Sequence, residues 1–393
     1  MNMHRVAVFA YPHALTYSGQ TAATEFAMRE LRQLGWTCYG ITFPALDRSK
    51  AKPVQYAVYF TAILHAWWLL FVRAARSKPV LVFNHGQSMM SFLRMGVPHL
   101  ALRALAPKRH IVMSLHGSVF MEWTEGSRDL RLLMRLIAAS DTVTVLGEAQ
   151  RAALIRLEVP DSKIRIVPNT TDLTTLSEDT IRAKHVSLEY DPTSPLVLLH
   201  LSLLIESKGY VAFLEACHAL ALTDLSRPLE IFLVGPMSFT SYCTRFTTPQ
   251  SKRAWIEQKV SELNGLPGVT AQWIEGAHGA EKAAFYVKSH IFVFPSRFPV
   301  EAQPLVLLEA MAAGCAIIAT DQGEIPSTMG DATGVCLSDT EDGELANAIG
   351  MLARAHNQRL AAGLAGARLV RVNFSPDRYG ANWNDLLTSE WNI

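Results

Sequence analysis

Two carboxylates eight residues apart bracket a stretch built to hold an anion. Glu301 lies in a polar loop behind a short apolar run, and Glu309 lies among Leu305, Val306, Leu307, Leu308, Ala310, Met311 and Ala312. Those neighbours are strong helix formers, so Leu305 to Ala313 is expected to be helical, with Gly314 just past its end. Pro304 suits the first helical position, where a missing N–H costs nothing. A helix apolar all round is a buried helix, and a carboxylate buried in one needs donors, because an unpaired buried charge is very costly. The start of this helix, 304–306, offers free backbone N–H groups and the positive end of a dipole, which together bind anions. Acids on either side of an anion site fit a ligand carrying both phosphate and hydroxyl groups. The plainer alternative is a helix-start acid and an edge glutamate on a solvated face.

Other chemistry-bearing residues sit at expected strand ends. Leu196 to Leu201 reads as a buried strand, and the loop after it carries Ser202, Lys208 and Gly209. An ammonium there is a point charge suited to phosphate, although a single loop lysine is weak evidence. Val80–His85 and Ile111–His116 each read as a strand ending in His-Gly, which puts an imidazole at the carboxyl edge of a sheet, where α/β proteins bind ligands. His278, in a Gly-Ala-His-Gly loop, reads as a loop residue rather than a metal ligand. An Asp-x-Asp pair is absent from the sequence, so no divalent-cation site for a diphosphate is expected. The five cysteines lack C-x-x-C spacing and are odd in number, which reads as a reduced compartment without zinc. Cys217, Cys315 and Cys336 stand in apolar contexts and are expected in the core.

The elements that must carry these residues alternate strand and helix. Val6–Ala10, a loop ending in Gly19, a helix over about 21–34 and a strand over 38–43 make a first β-α-β unit. It lacks G-x-G-x-x-G, so a dinucleotide site there is weakly supported. Further strands are expected at 291–294 and 315–319. The polar, sparsely apolar stretch 174–195 marks a domain boundary near 175. Ser375 and Pro376 open a final helix as N-cap and first residue. No leader segment is read ahead of the strand at Val6.

The segment Glu301-Ala-Gln-Pro-Leu-Val-Leu-Leu-Glu309, followed by Ala-Met-Ala-Ala-Gly314, resembles the E-x7-E segment of the retaining family 4, or "group 1", glycosyltransferases. The resemblance implies a GT-B fold: two Rossmann-like α/β domains facing a central cleft, with a C-terminal helix crossing back to the first. Its domains would be 1–175 on the acceptor side, 176–372 for the nucleotide sugar, and 373–393 as the returning helix. It implies that Glu301 and His116 lie at the donor sugar, that Glu309 holds the ribose, and that the backbone of Gln303, Pro304, Leu305 and Val306 meets the diphosphate. Gly19 matches one glycine of a family Gly-Gly loop, Ser18 replacing the other. Ser202 to Gly209 resembles a Gly-Arg-Leu-x-x-x-Lys-Gly segment, with Ser202-Leu203 in place of Gly-Arg and Lys208 retained. Gly235 resembles the start of a glycine-rich donor loop, Ser140–Glu148 the last strand of the first domain, and 164–172 the interdomain hinge. Arg297 is, by position, a candidate for the missing phosphate cation.

At 393 residues and 49% hydrophobic content, the chain has ample material for two or three cores. The net charge of +1 identifies no partner, and none is expected to be nucleic acid. Residues 1–175 hold 20 Lys/Arg against 11 Asp/Glu, while the remainder is acidic, which fits either an anionic surface or ligand for the first half or chance segregation with attraction between the domains. Residues 56–72 form the most apolar run. They read as a core helix, as a helix at a membrane surface, or least well as a short span. The reading is therefore transfer of a sugar from a nucleotide diphosphate sugar to a glycan or lipid-linked acceptor hydroxyl, in cell-surface polysaccharide or glycolipid synthesis. Retention is implied, and no metal or other cofactor is expected. The enzyme would be cytoplasmic or peripheral on the inner face of the plasma membrane. A sugar-nucleotide hydrolase or epimerase and a non-catalytic binder are the alternatives.

Overall fold

In the computed structural model, residues 5–13, 19–44, 52–76, 78–223, 227–239, 242–299, 301–338 and 343–391 are described. Ser18, Arg48 and Lys50 lie outside them. Strands β1 (Val6–Pro12), β2 (Thr37–Phe43), β3 (Val80–His85), β4 (Ile111–Leu115), β5 (Thr142–Val145) and β6 (Ile164–Ile166) form one sheet in the order β2-β1-β3-β4-β5-β6. Strands β7 (Leu196–Leu201), β8 (Leu229–Val234), β9 (Val269–Ile274), β10 (Ile291–Phe294), β11 (Ala316–Thr320) and β12 (Gly334–Leu337) form another, ordered β12-β11-β10-β7-β8-β9. All the pairings are parallel. Strands covered on both faces read as continuous apolar runs rather than alternating ones, and β7, β10 and β11 are buried at every position.

The chain divides into a unit of Met1–Thr170 with Ser375–Ile393, and a unit of Thr171–Phe374. In the first, the helix Pro376–Trp391 is started by Ser375, whose Oγ accepts from the Arg378 N–H at 3.3 Å. Tyr379 Oη donates to the Ala23 carbonyl at 2.8 Å and Trp36 Nε1 to Asn384 Oδ1 at 3.0 Å. Trp383 packs edge-on against Phe9 of β1. These contacts tie the last helix to the helix Gly19–Gln33 and to the sheet beneath it.

Three expectations need correction. The segment 140–148 does supply a strand, β5, but β6 follows it at the sheet edge. The start of the expected hinge is thus a strand, because Ile164 can bury on one side while Arg165 faces out. The stretch 174–195 holds a helix, Glu178–Tyr190, capped by Ser177. Its buried stripe is only Ile181, His185 and Leu188, two apolar side chains and an imidazole, which hides the period in the sequence. Lys184 anchors it, donating to the carbonyls of Ser289 (2.8 Å) and Ala313 (2.6 Å). Finally, Cys336 is exposed, since β12 is an edge strand with an open face, whereas Cys217 and Cys315 are buried.

Candidate functional site

In the Thr171–Phe374 unit the strand order reverses between β7 and β10: from β7 the chain winds outward through β8 and β9, and from β10 through β11 and β12. Loops leaving the carboxyl ends of two such strands diverge and leave a crevice, the usual ligand position in an open α/β sheet. Lys208 leaves β7 and Glu301 leaves β10. Their side chains meet: Lys208 Nζ lies 2.7 Å from Glu301 Oε2, and both are largely shielded from solvent. Ser296 Oγ donates to the same oxygen at 3.1 Å. The ammonium also lies over the Phe298 ring, 4.6 Å from its centre. Residues 93 apart in sequence are thus one charged cluster at the switch point.

The loops themselves are held by close backbone approach. Gly209 has φ +86°, and a Cβ there would come within 2.2 Å of the Pro295 carbonyl. Gly235, at the end of β8, has φ +141°, and a Cβ would sit 1.7 Å from the Ser202 carbonyl. Both glycines are required by packing between neighbouring strand ends. Beneath them His200 Nδ1 donates to the Val293 carbonyl (2.9 Å), and its Nε2 lies 2.9 Å from Ser202 Oγ. Burial lowers the His200 pKa to about 4, so this link from β7 to β10 is neutral at physiological pH. Lys252, fully buried, donates to the carbonyls of Leu204 (2.5 Å) and Ser238 (2.7 Å), bracing the loops after β7 and β8.

The helix after Glu301 runs Leu305–Ala312. Pro304 is its cap rather than its first turn: at φ −70° and ψ 128° it is extended, and its ring fixes only φ. No side chain caps this end, and Leu305 and Val306, the first two helical residues, are partly open to solvent. Gln303 is buried and donates to Thr328 Oγ1 at 3.0 Å. Glu309 shares the one partly open face of the helix with Leu305 and Val306. Its donors are Lys282 Nζ on Oε1 (2.6 Å) and Tyr286 Oη on Oε2 (2.7 Å). Burial, reinforced by the Glu309 charge, holds the Tyr286 phenol far above its ordinary pKa, so it remains a donor. Sequence reasoning missed both partners. Their i, i+4 spacing on the helix Gly279–Lys288, which places them on one face, was the available signal. His278 is the N-cap of that helix, and no cluster of metal-ligating side chains occurs among the described residues.

Leu203, in place of the expected arginine, is 40% exposed and carries no charge into this region. Arg297 is engaged elsewhere: its Nη1 pairs with Asp321 at 2.7 Å and its Nη2 donates to the Ser338 carbonyl. Those partners follow β11 and β12, which draws the guanidinium toward the sheet edge rather than toward β7.

The Met1–Thr170 unit carries the remaining residues. His116 follows β4 and is partly open, with Nε2 3.2 Å from Ser114 Oγ. Desolvation lowers its pKa to about 4, leaving a neutral imidazole. Gly117 beside it accepts from Gln87 Nε2 (2.5 Å) and Gln150 Nε2 (2.9 Å), and Gln150 Oε1 accepts from the Leu146 N–H (2.7 Å). These two glutamines stitch together the loops after β3, β4 and β5, another feature the sequence did not announce. His85 does not line an opening. It is buried, 3.0 Å from His99, and held well below its ordinary pKa by that burial and by His99. Gly19 is exposed at the first turn of its helix, where Gln20 Nε2 donates to the Asn84 carbonyl at 3.1 Å.

A family model described as "Glycosyltransferase Family 4" matches residues 2–175, and one described as "Glycosyl transferases group 1" matches 195–355. WcaL of Escherichia coli, whose name assigns it provisionally to colanic acid biosynthesis as a glycosyltransferase, is 24% identical over 197 residues. That match covers 49% of this chain and 42% of WcaL, so the chain spans less than half the length of the curated relative. Among solved structures, sucrose-phosphate synthase of Thermosynechococcus elongatus superposes with a TM-score of 0.71 at 19% identity, over 98% of this chain and 99% of that one. Anabaena HepE in complex with UDP gives 0.68 at 15% identity, over 97% and 99%. A further HepE crystal structure holds UDP-glucose. At these identities the likeness establishes the GT-B fold.

Proposed function

Because the chain belongs to the family 4, group 1 glycosyltransferases, we propose that it moves a sugar from a nucleoside diphosphate sugar to an acceptor hydroxyl with retention of anomeric configuration. The observation that carries this reading is the Lys208–Glu301 pair at the β7/β10 switch point, beside an uncapped helix start. In the reaction the bond from the anomeric carbon to the diphosphate oxygen breaks, a bond to the acceptor oxygen forms, and the acceptor proton leaves with the diphosphate. The charge to be stabilised collects on that leaving group. The N–H groups of Leu305 and Val306 and the helix dipole supply fixed positive potential there. Lys208 spends one of its three N–H donors on Glu301 and keeps others for phosphate. Each Glu309 oxygen has one protein donor and retains a lone pair for a ribose hydroxyl. In this reading Glu301 balances part of the positive charge developing on the sugar. No divalent ion is required by this scheme.

The acceptor is a glycan or lipid-linked hydroxyl in cell-surface polysaccharide or glycolipid synthesis, and the compartment is the cytoplasm. A thermal-shift panel of UDP, GDP, ADP and their sugars identifies the donor, and product analysis with labelled donor separates transfer from hydrolysis or epimerisation. Glu309→Gln and Lys208→Met should each weaken binding of the nucleotide by about 1–3 kcal/mol in calorimetry, the worth of a charged hydrogen bond. Unchanged affinity in both variants would overturn the assignment. The uncharged Leu203 favours a second reading, a sugar-nucleotide binder without transfer, which predicts nucleotide binding and no labelled product with any acceptor.

A further inference from the structure

The helix Lys52–Arg76 is apolar on two opposite faces, and only one of them is covered. Gln55, Tyr59, Ile63, Ala66, Leu70 and Ala74 form a buried stripe at three- and four-residue spacing, and Ala66, Leu70 and Ala74 pack with Val8, Ile41 and Phe83 of the sheet. The other face shows Val54, Val58, Phe60, Leu64 and Trp68 to solvent, each about half exposed or more. From Pro53 to Arg76 the helix is long and apolar enough to cross a bilayer, yet only 28% of its most apolar window is buried. The stripe docked on the sheet makes it a helix of this unit rather than a span.

A second segment extends the patch. Trp67 Nε1 donates to the Arg94 carbonyl at 2.8 Å, and Met95 and Leu102 join Ala66, Leu70 and Ala74 in one core cluster, so the segment 89–105 meets the helix at these points. That segment exposes Met89, Met90, Leu93, Val97, Leu100 and Leu105. Twelve of the 22 exposed large hydrophobic residues among those described therefore fall between Val54 and Leu105. Isolated exposed hydrophobics need no explanation, but a contiguous set marks a site of interaction.

Charge says what the partner is. Between Asp47 and Glu122 the sequence contains ten Lys/Arg and not one Asp or Glu. Arg76, Lys78 and Lys108 of this set are exposed. Arg103 pairs with Asp141 and Arg94 Nη1 donates to the Pro44 carbonyl, but a helix with an apolar face, Trp and Phe on that face and exposed cations following its end is built to lie in the plane of an anionic bilayer, with its apolar side among the acyl chains. We infer that Lys52–Arg76 and the 89–105 segment together form a docking surface for a membrane carrying anionic lipid headgroups. The surface stands independently of the sugar-transfer reaction, which uses none of these residues.

Flotation of the full chain with vesicles tests this. The protein should rise with vesicles containing phosphatidylglycerol, less with phosphatidylcholine alone, and less again at high salt, where surface charge is screened. Phe60→Glu with Leu64→Glu should cut vesicle binding by more than about tenfold, because charge is then forced into the acyl region. Their melting temperature and nucleotide thermal shift should stay at wild-type values. Arg76→Glu, Lys78→Glu and Lys108→Glu together, all at exposed positions outside the packed stripe, should lose the preference for phosphatidylglycerol and serve if the first pair destabilises the fold. Failure of the wild-type chain to float with phosphatidylglycerol vesicles, or flotation unaltered by both sets of substitutions, overturns the inference. So does a dimer in light scattering that Phe60→Glu and Leu64→Glu dissociate, since a second copy would then cover the face.

Discussion

The Lys208–Glu301 pair decides how the candidate site is prepared for a ligand. Both groups are shielded, and removing one partner of such a pair leaves the other charged and uncompensated. Lys208→Met should therefore destabilise the protein by about 3 kcal/mol in urea unfolding. Lys208→Met combined with Glu301→Gln should recover part of that loss, a coupling that a double-mutant cycle measures. Additive losses would mean that the two side chains do not sense one another. The same logic applies at Glu309, where Lys282 and Tyr286 keep a carboxylate oriented within an otherwise apolar helix. Ser296, which also donates to Glu301, adds a neutral bond that does not offset charge.

At the scale of elements, the site depends on strand ends that touch. Gly235 lies so close to the Ser202 carbonyl that no side chain fits without moving β7 or β8. Its φ of +141° is also strained for any other residue. Gly235→Ala should cost more than about 1 kcal/mol of stability, and should weaken nucleotide binding through the displaced loop. A melting temperature at the wild-type value would show that the loop can yield. The helix Glu178–Tyr190 illustrates the opposite case, an element held by polar anchors. Lys184 and the 2.9 Å bond between His185 Nε2 and the Gly314 carbonyl fasten it to the turn after the Leu305–Ala312 helix.

The molecule as a whole carries several histidines that burial keeps neutral: His99 and His185 at about 3, His116 and His200 at about 4, and His290 at about 2, against an ordinary value of 6.5. In the unfolded chain these groups take up protons as pH falls through 6.5, while in the folded protein they do not until the lowered values are reached. Between those limits the unfolded state binds more protons, so stability rises with pH and is lost on acidification. Each such histidine contributes up to about 1.4 kcal/mol per pH unit within that window. The urea midpoint should be level above pH 6.5 and fall below it, and His200→Gln should reduce the slope. A midpoint independent of pH on both sides of 6.5 would contradict the buried neutral assignment.

The pattern of apolar runs was enough to locate β7 and β10, because strands buried on both faces must be apolar at every position. The E-x7-E segment and its helix were equally legible, since strong helix formers, a proline and a terminal glycine all agree locally. β6, β12 and the Glu178–Tyr190 helix were not, because they bury too few apolar residues to show a period. Nor could spacing reveal that Lys208 meets Glu301, that Lys282 reaches Glu309, or that Arg297 turns away to Asp321. Composition is a local property of the chain, whereas these pairings depend on strand order, which brings the ends of β7 and β10 together and separates both from β12. The exposed side of Lys52–Arg76 belongs with them, because an apolar helix reads the same in sequence whether one face of it is covered or both are.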